Sequence, residues 1–481
     1  MSEATAISRR DLMRAGAALP VALAASASLS ATAGETDVRR VDVVVVGAGA
    51  SGLLAARHMR DAGKKVVVLE ANDRVGGRLK RGEIAGTVID LGGQWVGPGQ
   101  DRAMEIAKSY GMQMHPTPSK GGNLIEIEGT VHNEALMPAE ITRSFFRSIQ
   151  IVDRWAAKLS DPSFAAEGGI EEWDSTTMAS WLSEHIEDPG GRQLMRVVSE
   201  ALMTVPPSQI SALTFFGGLG GKSLMAAIGT EGGAQQDMFV GGFHQITQHM
   251  ADDLGNLVVL GSPVRAIQQT DTGVTVRSDK GDWTGQRVIV TVPPAVAQRI
   301  EFSPTLPYRR SGLMQRMPMG TVIKCFVAYE TPFWRERKLS GQGALTTGEF
   351  ESFFDVTPPD CPHGILGGFF GGGKAQQWAD KTPQQRRQRV VEDVTTLLGP
   401  DAASPIDYAE NNWPKEAWSI GGYSCIPTPG TYMTFGDSLA EPVGRIHWAG
   451  SETAEVFSGY VDGALRSADR VAKEVLERLK A

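Results

Sequence analysis

Only three of the 481 residues are cysteine: Cys325, Cys361 and Cys425. An odd count cannot pair completely, and no Cys-x-x-Cys occurs, so the chain is neither a disulfide scaffold nor a dithiol redox protein. Cys325 sits inside the apolar run Val322 to Val327 and reads as core. The eight histidines are scattered without a His-x-x-x-His pair, so no metal site is expected. Positive charge is scarce too. The 47 Lys and Arg against 55 Asp and Glu leave a formal charge of −8, with no basic stripe for a phosphate backbone. Beyond the N-terminal segment nothing reads as a membrane span. Ser467 to Lys480 has the pattern of an amphipathic, charged helix rather than an anchor. At 41% hydrophobic and 21% charged residues, the composition is that of a soluble globular protein. Its length calls for two or more domains.

Glycine, by contrast, is abundant, with 56 residues. Val41 to Val46 is an apolar run carrying one acid, Asp42. It ends in Gly47-Ala48-Gly49-Ala50-Ser51-Gly52. A helical stretch follows, then a second apolar run at Lys65 to Leu69 and then Glu70. Strand, tight turn, helix, strand and acid make a dinucleotide-binding unit. Gly47 permits the turn, Gly49 leaves room for a pyrophosphate, and Gly52 lets helix and sheet pack closely. The helix N-terminus offers unpaired N–H groups to the phosphates. Glu70, 18 residues after Gly52, is placed to accept from a ribose hydroxyl.

The first 33 residues read as a targeting segment. Ser8-Arg9-Arg10-Asp11-Leu12-Met13 is a twin-arginine pattern, Ala15 to Leu29 is softly apolar, and Ala31-Thr32-Ala33 is a cleavage candidate. Export to the periplasm by the twin-arginine route is expected, and that route carries folded, cofactor-loaded proteins.

Downstream, Asp90 to Pro98 is a glycine-rich stretch after the strand-like Thr87 to Ile89, and Asp101 to Tyr110 reads as a short helix. Aromatic helical faces at Phe145 to Trp155 and Met178 to Ile186 suggest a helical layer between Pro116 and Asp237. Strands are expected at Val258 to Leu260, Gly273 to Arg277, Val288 to Val290, Val322 to Tyr329 and Ile365 to Phe370. Helices are expected at Gln384 to Leu398 and Gly459 to Leu479. Cofactor-type turns at both ends of the chain imply two discontinuous domains with the site at their junction.

These blocks together resemble the flavin-dependent monoamine oxidase family, including its bacterial amine oxidases, over nearly all of Val41 to Val475. The residues carrying the resemblance begin with the Gly47-x-Gly49-x-x-Gly52 turn and Glu70-Ala71-x-x-Arg74-Val75-Gly76-Gly77-Arg78. Asp90-Leu91-Gly92-Gly93, Val96-Gly97-Pro98 and Phe239-Val240-Gly241-Gly242 follow. Then come Gly320-Thr321-Val322-Ile323-Lys324-Cys325 and Pro332-Phe333-Trp334-Arg335. The last are Gly450-Ser451-Glu452-Thr453-Ala454 and Ser458-Gly459-Tyr460.

The resemblance implies an α/β fold: a Rossmann-like FAD-binding domain (40–115, 241–312 and 412–475) and a discontinuous α+β substrate-binding domain (116–240 and 313–411). It implies FAD contacts by Gly47, Gly49, Ala50, Ser51, Gly52, Glu70, Ala71, Arg74, Gly77 and Arg78. It adds Gly92, Gly93, Gln94, Trp95, Trp418 packed on the flavin, and the Val264 backbone at the adenine. Gly450, Ser451, Glu452, Tyr460 and Val461 complete that set. Animal relatives attach flavin through a cysteine just before the first cage tyrosine. Here that residue is Gly422, and Cys425 lies past Tyr423, so FAD is expected to be non-covalent. The family's C-terminal membrane helix is missing as well.

Tyr423 and Tyr460 match the two tyrosines that flank the substrate nitrogen. Lys324, inside an apolar strand, matches the lysine that reaches flavin N5 through a water. Ala201, Leu202, Ala227, Ile228, Gln235 and Phe353 correspond to pocket positions. No acid stands among them, although loops could supply Glu231 or Asp237, and no arginine is assigned to hold an amino-acid carboxylate. The expected reaction is therefore oxidation of a hydrophobic or aromatic primary amine to the aldehyde, with ammonia and H2O2, using O2 as acceptor. Diamines, polyamines, cyclic secondary amines and a carrier-coupled dehydrogenase stay open as alternatives, as does a homodimer.

Overall fold

A computed structural model of the protein describes residues 38–480; the twin-arginine segment lies outside them. A parallel five-stranded sheet forms the frame. Its order is Val258–Val259, Val66–Leu69, Val43–Val46, Arg287–Val290 and Ile446–Trp448. Its strands are brought together from three distant parts of the chain. Both faces are covered, so the strands are continuous Val and Ile runs rather than alternating ones. Val43, Val44 and Val45 are fully buried. Helix Ala50–Asp61 packs on one face together with the C-terminal helix Val461–Arg478 and helix Gln245–Leu254. A second five-stranded sheet, built mainly from Val264–Gln269, Val274–Ser278 and Gly281–Gly285, covers the other face.

The remaining chain forms a seven-stranded sheet and a helical layer. The sheet runs Asp407–Asn412, Val322–Tyr329, Gly364–Gly371, Ser352–Asp355, Leu339–Leu345, Gly122–Ile127 and Thr130–Asn133. All eight residues of Val322–Tyr329 are buried, because strands flank it on both sides and each face packs into its own apolar cluster. The architecture is thus mixed α/β, with a Rossmann-type region and a separate helical and β region.

Five of those strands, the polar Asp407–Asn412 among them, escape a periodicity reading. Gly122–Ile127 and Thr130–Asn133 lie where the sequence suggests helices only. Leu339–Leu345 and Ser352–Asp355 carry glycine and polar residues at positions that the sheet nevertheless buries. Short strands of this kind are held by tertiary pairing, not by local propensity. The helical layer matches its pattern more closely, with helices Ala139–Ala156 and Met178–His185 around an aromatic core that includes Trp173, Trp181 and Phe216.

Candidate active site

One large cavity, of about 1070 Å³, runs between the parallel sheet and the seven-stranded sheet. At one end lies the first strand–helix turn. Gly52 is there because nothing larger fits: a Cβ on it would stand 2.0 Å from the Gly47 carbonyl oxygen. Helix Ala50–Asp61 starts without a side-chain cap, so its first amides are left to a ligand. Around Gly49 the space is open, the nearest atom to an added Cβ being 4.0 Å away. Glu70 is buried on the same wall. One carboxylate oxygen accepts from the Ala48 amide at 2.7 Å and the other from Asn72 at 2.8 Å.

The expected cofactor positions separate into two groups. Gly47, Gly49, Ala50, Ser51, Glu70, Ala71, Gly77, Arg78, Gly92, Gly93, Gln94, Trp95, Val264, Trp418, Gly450, Ser451, Tyr460 and Val461 all line the cavity. Gly52, Arg74 and Glu452 do not, and instead brace residues that do. Arg74 donates to the carbonyls of Val75, Gly77 and Leu79, which fixes that turn. Glu452 takes both arms of Arg78, at 2.7 and 3.0 Å. Burial works against the charge on Arg78, but Glu452 outweighs it and holds the guanidinium pKa above its ordinary value. Burial alone would raise Glu452, yet Arg78 keeps it below the usual carboxylate range. Nη1 of Arg78, which also meets Glu452, donates its other hydrogen to the Tyr423 carbonyl at 2.8 Å.

Lys324 projects from the middle of its buried strand. Its ammonium donates to the carbonyls of Asp90 (2.8 Å) and Gly92 (2.9 Å) and to Gln94 Oε1 (2.6 Å). The rings of Trp95 and Phe326 stand 5.0 and 5.1 Å away. Burial lowers its pKa to about 7, against a smaller opposing pull from Asp90. Three acceptors suit the charged form, which has three N–H bonds to give.

Tyr423 and Tyr460 both line the cavity. Each is braced edge-on, Tyr423 by Phe369 at 6.0 Å and Tyr460 by Phe457 at 5.9 Å. Burial raises both phenol pKa values, so the rings stay neutral. Ala201, Leu202, Ala227, Ile228, Gln235 and Phe353 meet at the same chamber. The first two come from the last turn of helix Pro189–Met203, which starts at the Asp188 cap with proline in its first turn.

The chamber also holds a residue that motif reasoning missed. Glu351 lines the cavity and is 3% exposed. One oxygen accepts from the Gly371 amide at 3.1 Å; Lys374 stands 3.5 Å from the other. Burial first, and Glu200 after it, push its pKa up to about 7 against the pull of Lys374. It is close enough to act electrostatically on Tyr423. Glu349 and Glu351 flank Phe350 in an alternation that looks like a half-exposed strand, so nothing local marks Glu351 as buried.

A cavity that joins a glycine-rich turn to a paired-tyrosine chamber, beside a buried lysine, defines a dinucleotide-dependent oxidoreductase. The relatives narrow this. Residues 50–476 match the family model described as flavin containing amine oxidoreductase. A probable flavin-containing monoamine oxidase A from Dictyostelium discoideum is 35% identical and covers 91% of this chain and 98% of its own. Among solved structures, wild-type putrescine oxidase bound to putrescine superposes with a TM-score of 0.85 at 30% identity, covering 91% of this chain and 99% of that one. Cyclohexylamine oxidase from Brevibacterium oxydans gives 0.84 at 32%, covering 92% and 100%.

The chain belongs to the flavin amine oxidase family. It is an FAD-dependent enzyme that oxidises an amine to the imine or aldehyde and gives H2O2, with O2 as acceptor. FAD is held non-covalently, and the uncapped helix start and the open space at Gly49 fit its pyrophosphate. Among the described residues no helix is long and apolar enough to cross a membrane.

Proposed function

We propose that the substrate is an amine with a second cationic group, most simply a short primary diamine. The observation that carries this reading is Glu351. Expecting a hydrophobic monoamine rested on a wall without an acid, and Glu351 removes that premise. Glu351 has one cation beside it, Lys374 at 3.5 Å, and feels the repulsion of a second carboxylate, Glu200, so its negative charge is incompletely offset and a substrate cation can complete the pairing. A buried carboxylate is costly unless paired, and its raised pKa is the mark of that cost. Similarity to putrescine oxidase agrees with this assignment.

FAD, when bound, supplies the two-electron oxidation of the α C–H bond and returns the electrons to O2. The protein places the substrate. Tyr423 and Tyr460 guide the reacting nitrogen between two electron-rich faces, and Ala201, Leu202, Ala227, Ile228 and Phe353 exclude water along the carbon chain. Glu351 receives the distal ammonium. Lys324 holds a positive charge beside Gly92 and Gln94, at the wall where O2 would accept electrons. We assign the FAD-binding and substrate-binding domains to the segments given above. The Arg9-Arg10 motif supports export to the periplasm after folding.

The apolar wall favours a second reading, an alicyclic or arylalkyl monoamine. Comparing kcat/KM for putrescine, n-butylamine, cyclohexylamine and phenylethylamine at one O2 concentration separates the two. A preference for any monoamine over putrescine would overturn the diamine assignment.

A further inference from the structure

We propose that Thr204 is a positioning residue for this reaction, and that its hydroxyl sets the place of Tyr423 by bridging the two backbone groups that precede the Tyr423 side chain. Thr204 follows helix Pro189–Met203 and is 1% exposed. Its φ is +56°, a left-handed conformation that a β-branched residue avoids. Strain of this kind persists where surrounding contacts enforce it, and here they are specific. Thr204 Oγ1 donates to the Gly422 carbonyl at 2.8 Å, sharing its one hydrogen with the Met203 carbonyl, and accepts from the Tyr423 amide at 3.3 Å. The Thr204 carbonyl in turn accepts from the Thr321 amide at 2.8 Å.

The third loop in this junction has the one residue that lets it close. A Cβ on Gly320 would stand 2.1 Å from Thr204 Oγ1 and 2.6 Å from the Gly422 oxygen. Gly320 also pairs by backbone with both Gly422 and Ser424. The hydroxyl therefore links the chamber wall, Ala201 to Met203, to the peptide that carries the Tyr423 ring. Moving that ring by about 1 Å can cost on the order of 100-fold in rate. The inference rests on the reading of Tyr423 as one side of the amine passage.

The test uses FAD-loaded enzyme and whichever amine the wild type oxidises best. Thr204→Val keeps shape and removes the hydroxyl; Thr204→Ser keeps the hydroxyl. The valine variant should lose at least about tenfold in kcat/KM, mainly in kcat, with FAD content and Tm near wild type. Titration of flavin absorbance with tert-butylamine, which has no α C–H to oxidise, should give a weaker Kd. Serine should restore both values to within about threefold. In a Tyr423→Ala background, Thr204→Val should add less than about twofold, because a residue acting through Tyr423 has nothing left to act on. A valine variant with wild-type kcat/KM overturns the proposal, and so does a loss of equal size with and without Tyr423. If the valine variant does not fold, Thr204→Cys is judged by the same thresholds. An unaltered Tyr423→Ala enzyme sinks the passage reading and the positioning role with it. An impaired Tyr423→Ala enzyme beside an unimpaired Thr204→Val enzyme sinks the positioning role alone.

Discussion

Replacing Glu351 by glutamine isolates the charge that the diamine reading needs. Glutamine keeps the length of the side chain and can still accept from the Gly371 amide, which lies 3.1 Å from the carboxylate. What it loses is the negative charge of a side chain that is only 3% exposed. A hydrogen bond to a charged group contributes about 1.5–3 kcal/mol. At about 1.4 kcal/mol per tenfold, that predicts a loss of about 10- to 150-fold in kcat/KM for putrescine. n-Butylamine has the same carbon chain and no distal ammonium, so its kcat/KM should move by less than about threefold. The pH dependence supplies an independent sign. Burial raises Glu351 to about 7, so the carboxyl is neutral below that pH and charged above it. The putrescine-to-butylamine ratio should therefore rise as pH passes through about 7 and then level off. Both amines lose their protons well above this range, near the lysine value of about 10, so the ratio reports the carboxyl. In Glu351→Gln the ratio should be flat. Steady-state H2O2 assays from pH 6 to 9 measure all of this. Equal losses for both amines, or a wild-type ratio that does not change across pH 7, would refute the reasoning.

Three further outcomes are expected. Acid precipitation should release all of the FAD into the supernatant, because Gly422 offers no sulfur for a thioether; flavin left on the pellet would contradict this. Lys324→Met should slow the reaction of reduced flavin with O2 in stopped-flow mixing. Since burial lowers Lys324 to about 7, the wild-type rate should fall as pH rises through that value, a step the variant should lack. Arg78→Met strands Glu452, whose side chain is 2% exposed, so urea unfolding with excess FAD should show a loss of about 3–5 kcal/mol. An unmoved midpoint would mean that the pair contributes nothing net. The direction with pH follows from Glu452 being held low: its contribution is present above the unfolded carboxylate pKa and disappears as pH falls.

The sequence by itself determined the cofactor end of the molecule. Gly47 to Gly52, Glu70 and the valine runs around them are contiguous, and each answers to a local requirement of turn, close packing or strand. Lys324 was legible for a related reason: a charge inside a fully apolar strand needs an explanation wherever the strand goes. Gly422 decided the non-covalent attachment, because it lacks the sulfur that such a bond would need. At the other end the two tyrosines and the apolar wall were named from the motifs, and what only the tertiary structure decided was the acid and the contacts between loops. Glu351 sits in an unremarkable acid–aromatic alternation and becomes a buried carboxylate only when the strand that follows it, Ser352–Asp355, pairs with Gly364–Gly371 and Lys374 comes beside it. Phe369 meets Tyr423 across residues far apart in the chain. Thr204 and Gly320 look like ordinary loop residues until three loops converge on one hydroxyl. A turn that binds phosphate is written in one short stretch of backbone, whereas an amine's specificity depends on charges and rings that separate segments bring within a few ångströms of each other.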